Sequence, residues 1–343
     1  MILSVTTLKD SLANVRTFVS RNLNAGVDHL VIYLDAESPE VEEFLTAHPD
    51  VTCVAAYGAW WEERPPNLNR RQATHAGLLG RLLDGYDWAE WLVHIDGDEV
   101  AWLDREALAA VGSEHQAVRL SPWEAVAQMH ASAAPVVFKR LLSTDELALV
   151  HLLGLIDKPS NRSYFRGHMA GKLAVRPSID RSLAIHKLLT ADDEKVEAHD
   201  DGRQHLLHYE SYDGDEFVRK WVALLTSGNR IRQLGARASL AQAIEALLAL
   251  QLGEAETAHF LRQIYERHAV DDVATLDGLG LLVHVDADAP RPPREPFPES
   301  AKEDLRALFD RIRSEPKRPF RPYAPAESAV RAARRVQRDV GKR

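Results

Sequence analysis

The first hundred residues alternate between short apolar runs and longer stretches with helical spacing, and this alternation restricts the fold more than any other feature. Strands are predicted from the apolar runs at residues 2–5, 29–34, 51–57 and 91–95. Helices are predicted between them, at residues 11–25, 39–48 and 69–83. Strand-helix alternation favours an α/β fold with a mostly parallel central sheet and helices on both faces. Such sheets bind ligands at the carboxyl ends of their strands.

Beyond Val100 the alternation stops. Short strands are predicted at residues 117–120, 135–142, 173–176, 182–188 and 205–209, with a loop at 160–172. Helices are predicted at residues 213–225, 236–250, 254–268 and 299–313. We therefore expect a main domain at residues 1–225 and a C-terminal helical extension at 226–287. Residues 288–343 are predicted to form a proline-rich linker, a short helix and a basic tail.

The overall composition excludes several classes of protein. A formal net charge of −9 over 343 residues disfavours a nucleic-acid partner. The single cysteine, Cys53, cannot form an intrachain disulfide or a cysteine-based metal cluster, and its apolar neighbours indicate a buried thiol. No segment approaches the ~20 apolar residues that span a bilayer, and MILSVTTLKD turns polar too soon for a secretion signal. These features predict a cytoplasmic protein.

The C-terminal tail is the exception to the acidic composition. Its basic residues are Arg331, Arg334, Arg335, Arg338, Lys342 and Arg343. Such a stretch either contacts an acidic polymer or the inner face of an anionic membrane, or forms a solvated, frayed end. Both interpretations stay open at the level of the sequence.

A cluster of carboxylates carries the strongest chemical signal. The apolar strand in WLVHIDGDEV, residues 91–100, leads directly into Asp96-Gly97-Asp98-Glu99. At neutral pH three adjacent carboxylates repel one another unless a cation lies among them. Oxygen ligands at a strand end suit Mg²⁺ or Mn²⁺ that also binds substrate phosphates, and Gly97 would let a bulky ligand approach the backbone. The alternative is a solvated strand-to-loop turn.

An EF-hand loop also begins with Asp-x-Asp, but it requires glycine at its sixth position and glutamate at its twelfth. Counted from Asp96, those positions hold Ala101 and Ala107. The sequence therefore excludes an EF-hand.

Residues 1–225 resemble the family 2-type glycosyltransferases of the GT-A fold, and they are most similar to the bacterial branch related to family 92. The segments that carry the resemblance are LKDSLANVRTFVSRNLNAGVDHLVIYLDAES, NRRQATHAGL and DWAEWLVHIDGDEV, with weaker matches in GKLAVRP and LLHYESYDGDEFVRKW. The resemblance implies a GT-A-type nucleotide-sugar-binding fold and an inverting reaction. It also implies that an Asp-x-Asp motif, Asp96 and Asp98, binds Mn²⁺ or Mg²⁺ and the donor diphosphate. One departure is Asp10-Ser11, where related sequences usually carry Asn-Glu.

Donor-binding candidates follow from these positions and from the resemblance. They are Thr6 and Thr7 after the first predicted strand, Asp35, Arg71, Gln72, Asp96, Lys172 and Arg176. In the resembling family, the aspartate at the Asp35 position contacts the uridine ring or the ribose. Arg71 lies at a helix start that attracts phosphate, and Lys172 and Arg176 would neutralise a diphosphate. Each has a structural alternative: loop polarity for the threonines, helix capping for Asp35 and solvated surface charge for the cations.

The remaining candidates concern the metal, the acceptor and the base. Metal ligands are predicted to be Asp96, Asp98 and His208, although a lone histidine is often structural. Acceptor-side candidates are Trp60, Trp61, Trp123 and His186, since sugars bind against aromatic faces, and core packing is the alternative for the tryptophans. Candidates for the general base are Glu99, Glu124 and Glu210.

Taken together, these residues predict a metal-dependent glycosyltransferase. It would move a sugar from a nucleoside diphosphate sugar, uridine-linked by the resemblance, to a sugar or glycoconjugate acceptor in surface polysaccharide or glycoconjugate synthesis. Two alternatives remain open: a metal-dependent nucleotidyltransferase or phosphohydrolase, and a non-catalytic module that binds sugar nucleotides.

Overall fold

The computed structural model describes residues 1–131, 133–210, 212–226, 236–291, 295–322 and 324–340. Its strands are β1 (Ile2–Leu8), β2 (His29–Leu34), β3 (Val51–Ala55), β4 (Trp91–His94), β5 (Glu99–Trp102), β6 (Ala117–Ala125), β7 (Val137–Lys139), β8 (Lys172–Val175), β9 (Ser182–Leu183), β10 (Leu188–Leu189), β11 (His205–His208) and β12 (Leu282–His284). Its α-helices are α1 (Leu12–Asn24), α2 (Pro39–Ala47), α3 (Leu68–Leu82), α4 (Arg105–Ala109), α5 (Thr144–Leu152), α6 (Asn161–Tyr164), α7 (Gly214–Thr226), α8 (Ala236–Ala249), α9 (Glu254–His268), α10 (Val273–Gly278), α11 (Glu299–Arg313) and α12 (Ala326–Val340).

The chain forms two compact units. The first comprises Met1–Ser121, Ala170–Leu206 and Ala287–Arg343, and the second comprises Pro122–Met169 and Leu207–Asp286. The second unit continues across residue 225, the predicted end of the main domain, and it ends at Asp286, next to the predicted limit at residue 287.

A mixed sheet with the strand order β8–β4–β1–β2–β3 organises the first unit. β1 pairs in parallel with β2 and β4, and β2 pairs in parallel with β3. β8 is antiparallel to β4 and to the first residues of β6, so the sheet is mixed where the sequence predicted a mostly parallel one. The antiparallel strands come from the region beyond Val100, which lacks the helical crossovers that parallel neighbours require.

Helices cover both faces of this sheet, as the alternation predicted. Side chains along β2 alternate between two cores, with Val31 and Tyr33 in one and Leu30 and Ile32 in the other. α1 packs on the Leu30 side, and α3 packs on the Tyr33 side. Every residue of β1 and β2 is buried, which explains why both strands read as continuous apolar runs.

The C-terminal helices α11 and α12 pack into the same core as α3. Leu305 and Ile312 of α11 and Val336 of α12 are all fully buried there. The basic tail, for which the sequence allowed a solvated, frayed end, is therefore a packed helix as far as Val340, while Lys342 and Arg343 lie outside the described residues. Helical spacing of Ala329, Ala332, Ala333 and Val336 gives α12 its buried side.

The second unit has two apolar clusters. One gathers α5 with the segment around Tyr164 and Phe165, and the other gathers α7, α8 and α9 around Tyr265. In this unit the end of β6 is antiparallel to β7, which in turn is antiparallel to β12. Among the residues described in either unit, no helix has the length and apolarity that crossing a bilayer requires.

Several short elements lay beyond the sequence prediction, including β5, α4, α6, α10 and β12. α5 was also missed, although its start carries a capping box. The Ser143 hydroxyl accepts from the Glu146 backbone N–H, and the Glu146 carboxylate accepts from the Ser143 N–H.

Candidate functional site

The strand order of the first unit creates a topological switch point at β1. β1 lies between β2 and β4, so the chain proceeds from β1 to one side of the sheet and later returns on the other. In open α/β sheets, ligands bind outside the carboxyl ends of the strands at such a point. Asp35 directly follows β2, and Asp96 follows β4 by two residues. Thr6 and Thr7, which were predicted to follow the first strand, lie within β1 near its end.

The carboxylate cluster forms a tight turn between β4 and β5. The Asp96 N–H donates to Glu99 Oε2 at 2.7 Å, and the Glu99 N–H donates to the Asp96 carbonyl at 3.1 Å. Gly97 lies against Leu8, and a Cβ atom there would be 2.7 Å from Leu8 Cδ1. The absence of a side chain at Gly97 therefore serves packing inside the protein.

Lys172 supplies positive charge to this turn. Its ammonium is fully buried and lies 2.7 Å from Asp96 Oδ2 and 3.3 Å from Glu99 Oε2. Burial disfavours the charged amine, but Asp96 and Glu99 outweigh that effect and raise the pKa of Lys172. Burial likewise acts to raise the pKa of Asp96, but Lys172 outweighs it and holds that pKa below its usual value. Part of the positive charge that the sequence assigned to a metal is thus provided by the chain itself.

Gln72 of α3 contacts the opposite oxygen of the same carboxylate, since its amide donates to Asp96 Oδ1 at 2.5 Å. Both oxygens of Asp96 are therefore engaged, one by Gln72 and one by Lys172. Asp98 projects from the same turn and is only partly buried. Three carboxylates against one ammonium leave this turn with two negative charges.

His94 lies beneath the cluster and was not predicted from the sequence. Its Nδ1 is 3.5 Å from Lys172 Nζ, and burial together with that lysine lowers the pKa of His94 to about 4. The imidazole is therefore neutral at pH 7. Among the described residues its Nε2 atom has no hydrogen-bond partner. No sequence signal distinguishes this histidine from other polar residues within an apolar strand.

Asp35 and Arg71, both predicted to bind the donor, bind each other. Arg71 Nε and Nη2 donate to the two oxygens of Asp35 at 2.7 and 2.6 Å, and both side chains are buried. Arg64 also reaches Asp35 Oδ1 at 3.0 Å, and Arg71 Nη1 donates to the carbonyls of Pro65 and Pro66. The pair therefore fixes the loop that leads into α3 to the end of β2.

A second buried network involves Thr7. Its hydroxyl lies 2.8 Å from His75 Nδ1, and the Trp60 indole N–H donates to His75 Nε2 at 3.2 Å. Because Nε2 accepts, the proton of neutral His75 is on Nδ1, from which it donates to Thr7. Burial, with Arg71 adding to it, lowers the pKa of His75 well below its usual value. The imidazole stacks on Tyr33 with ring centroids 4.0 Å apart.

The predicted acceptor-side residues are not gathered together in the first unit. Trp60 and Trp61 are buried in the core, and the Trp61 indole donates to the Ala56 carbonyl at 2.8 Å. His186 Nδ1 lies 2.8 Å from the Gly171 carbonyl. Trp123 belongs to the second unit, where it is partly buried in β6. Their contact with an acceptor stays a prediction.

Arg176 packs away from the carboxylates. Its guanidinium lies over the Trp91 ring at 4.2 Å and donates to the Val111 carbonyl at 3.0 Å. It therefore braces β8 against the neighbouring loop. Its contact with a diphosphate stays a prediction.

The three base candidates have different surroundings. Glu99 is held by Lys172 and by the Asp96 N–H, as described above. In the second unit, Glu124 accepts from Lys139 at 2.9 Å and from the Arg166 and Gly167 N–H groups at 2.8 and 2.5 Å. Burial acts to raise the pKa of Glu124, but Lys139 and these donors lower it overall. A carboxylate held in this way is a weak proton acceptor.

Glu210, also in the second unit, lies 2.9 Å from Lys220 Nζ and 3.5 Å from His208 Nε2. The Lys220 side chain is about one-third exposed, whereas Lys139, the partner of Glu124, is fully buried. His208 is itself buried and stacks with His168 at 5.2 Å. Aspartate, glutamate and histidine side chains able to ligate a metal are thus present, and the role of His208 as a ligand stays a prediction.

No protein-family model matches the chain, and no curated protein sequence matches it either. Among solved structures, HddC from Yersinia pseudotuberculosis aligns over 52% of this chain and 75% of its own, with 11% identity and a TM-score of 0.25. The WbbM bifunctional glycosyltransferase aligns over 51% of this chain and 31% of its own, with 13% identity and a TM-score of 0.23. At these scores neither similarity carries an argument about activity, and the resemblance to family 2-type glycosyltransferases stays a prediction.

Proposed function

We propose that the chain is a metal-dependent glycosyltransferase of the GT-A type. Its donor would be a nucleoside diphosphate sugar, with uridine as the expected base, and its cofactor Mn²⁺ or Mg²⁺. One observation carries the proposal: the turn Asp96-Gly97-Asp98-Glu99 lies at the switch point of the sheet with its acidic side chains held by dedicated partners. A solvated turn would have no need of a fully buried lysine.

The charge of the turn supports a divalent cation. The turn gathers three carboxylates beside the one ammonium of Lys172, and a divalent ion would add further positive charge. Asp98 is the ligand we propose first, because it is the second aspartate of the Asp-x-Asp motif and its side chain is only partly buried. Asp96 would then contact either the ribose or the metal. When bound, the metal supplies charge neutralisation to the departing diphosphate.

The remaining residues would position these groups. Gln72 and Lys172 fix the orientation of Asp96, and the Asp35–Arg71 pair fixes the loop that borders the site. Fixed orientation favours catalysis because the groups need not reorganise as charge develops. Glu99, Glu124 and Glu210 all stay candidates for the general base.

The experiment compares Asp98→Asn with Asp87→Asn. Asp87 is an exposed aspartate just before β4, at the opposite end of the same strand, so its loss changes the net charge equally. We expect Asp98→Asn to weaken Mn²⁺ binding, measured by calorimetry, by at least about tenfold, and Asp87→Asn to leave it unchanged. Equal Mn²⁺ affinity in the two variants would contradict the assignment of Asp98.

Product analysis on a panel of nucleotide sugars then identifies the reaction. Release of a nucleoside diphosphate supports a glycosyltransferase. Release of pyrophosphate or of a nucleoside monophosphate would instead indicate a nucleotidyltransferase or phosphohydrolase. Donor binding without turnover against a broad acceptor panel would indicate a binding module.

A further inference from the structure

A row of arginines covers the solvent face of α12. The positions follow helical spacing, so that the side chains lie on one side of the helix: Arg331, Arg334, Arg335 and Arg338. The opposite side, with Ala333 and Val336, is buried in the core of the first unit. The row is therefore carried by a packed helix.

Two of the four guanidinium groups are already paired. Arg331 lies 3.4 Å from Glu327, and Arg335 pairs closely with Glu315. For Arg334 and Arg338, the part of the chain that the structure describes offers no ion pair. Both side chains are exposed and therefore accessible to a ligand.

These arginines border a cavity of about 770 Å³, whose wall also includes Asp84, Ile179 and Gln337. The Gln337 amide holds α12 in place, because it donates to the carbonyls of Leu82 and Asp84 at 3.2 and 3.0 Å, just beyond α3. We refer to this cavity as the arginine groove. These buried contacts fix the backbone that carries the arginines.

We propose that the arginine groove binds an anion that carries two or more phosphate groups. A guanidinium group donates two parallel hydrogen bonds to a phosphate, which a lysine ammonium cannot do. Arg334 and Arg338 are one helical turn apart, so their Cβ atoms are about 6 Å apart and both guanidinium groups can reach one anion that carries several phosphates. The inference does not depend on the proposed transferase activity.

A membrane surface fits the groove less well. Helices that lie on bilayers insert an apolar face, whereas the apolar face of α12 is already buried against α3 and α11. A cavity also favours a ligand that enters it over a flat array of headgroups. The single carboxylate of the wall, Asp84, would oppose any anion.

The test uses sodium tripolyphosphate as the probe and calorimetry on the full chain at low salt. We expect the double variant Arg334→Gln/Arg338→Gln to lose at least about tenfold in affinity, and Asp84→Asn to gain affinity. The matched control is Arg203→Gln/Arg219→Gln, which removes the same charge from two exposed arginines elsewhere and should bind as the native protein does. Thermal unfolding of each variant checks that α12 remains packed.

Two outcomes would overturn the proposal. One is an affinity for tripolyphosphate that is absent or is equal in the double variant and the control. The other is binding to vesicles of phosphatidylglycerol and phosphatidylcholine that requires Arg334 and Arg338, with no binding of tripolyphosphate, which would identify a membrane surface.

Discussion

Replacing Lys172 by methionine tests the central electrostatic feature of the first unit. The substitution keeps the length of the side chain but removes the ammonium that lies 2.7 Å from Asp96 and 3.3 Å from Glu99. Breaking a buried ion pair from one side costs about 3–5 kcal/mol, because the remaining charge stays buried. Glu99 is fully buried, but the Asp96 side chain is 25% exposed, which favours the lower end, about 3 kcal/mol.

The pH dependence of this loss has a definite sign. In the native protein the pKa of Asp96 is lowered, so its contribution to stability is present above the usual carboxylate pKa and is lost as the pH falls through the folded value. The pKa of Lys172 is raised, so its charge does not change between pH 4 and pH 8. Without Lys172 the carboxylates bind protons more readily. We therefore expect the deficit to be largest near pH 8 and to shrink toward pH 4.5.

The assay is urea unfolding followed by tryptophan fluorescence at several pH values. Lys139→Met is the matched control in the second unit, where an equally buried ammonium lies 2.9 Å from Glu124 and 3.1 Å from Asp271. Both variants should lose stability, but Mn²⁺ affinity should rise only in Lys172→Met, since one more negative charge then remains at the turn. A loss below about 1 kcal/mol, or one that is independent of pH, would refute the reasoning.

Three further predictions concern residues outside the carboxylate cluster. Burial, aided by Glu42, raises the pKa of Cys53 to about 12, so native Cys53 should react with Ellman's reagent at least about a thousandfold more slowly than free cysteine at pH 7.5; equal rates would contradict this. Trp60→Phe removes the indole N–H that donates to His75 Nε2 and should lower the free energy of unfolding by about 1 kcal/mol. Nitrogen NMR should show that His75 no longer populates the Nδ1–H tautomer alone. An unchanged tautomer would count against the network. Ser143→Ala removes one half of the α5 capping box and should lower the free energy of unfolding, measured with urea, by about 1 kcal/mol. Ser143→Asp should retain most of the stability of the native protein, because aspartate also caps a helix N-terminus.

Local sequence patterns identified several residues of the candidate site but did not identify their partners. The sequence places Asp35 and Asp96 at strand ends, because a buried apolar run followed directly by a carboxylate is typical of a strand that ends at a polar edge of the sheet. It also identifies Gln72, Arg71 and Lys172 as residues of interest. The ion pairs between these residues could not be predicted from the sequence. Lys172 is 76 residues away from Asp96 along the chain and reaches it only because β8 lies beside β4.

The same limit applies to the C-terminal segment. Residues 328–343 look like a solvated basic tail because arginines dominate the composition, and the buried apolar positions of α12 are mostly alanines. Only the packed structure decides that these small residues are needed where α12 crosses α3 and α11. Prolines before α11 predict a linker, yet Phe297 is buried against His29 and Trp88.

The sequence by itself determined the elements whose apolar period is unambiguous: the four parallel strands, the helices between them and the acidic turn that follows β4. Local periodicity and turn chemistry suffice for these features because they depend on neighbours along the chain. The tertiary structure alone decided the antiparallel pairing of the later strands, the partners of each buried charge and the position of α12. Each of those features depends on contacts between residues far apart in sequence. The free energy of burying a charge or an alanine is set by the residues that contact it in the folded protein.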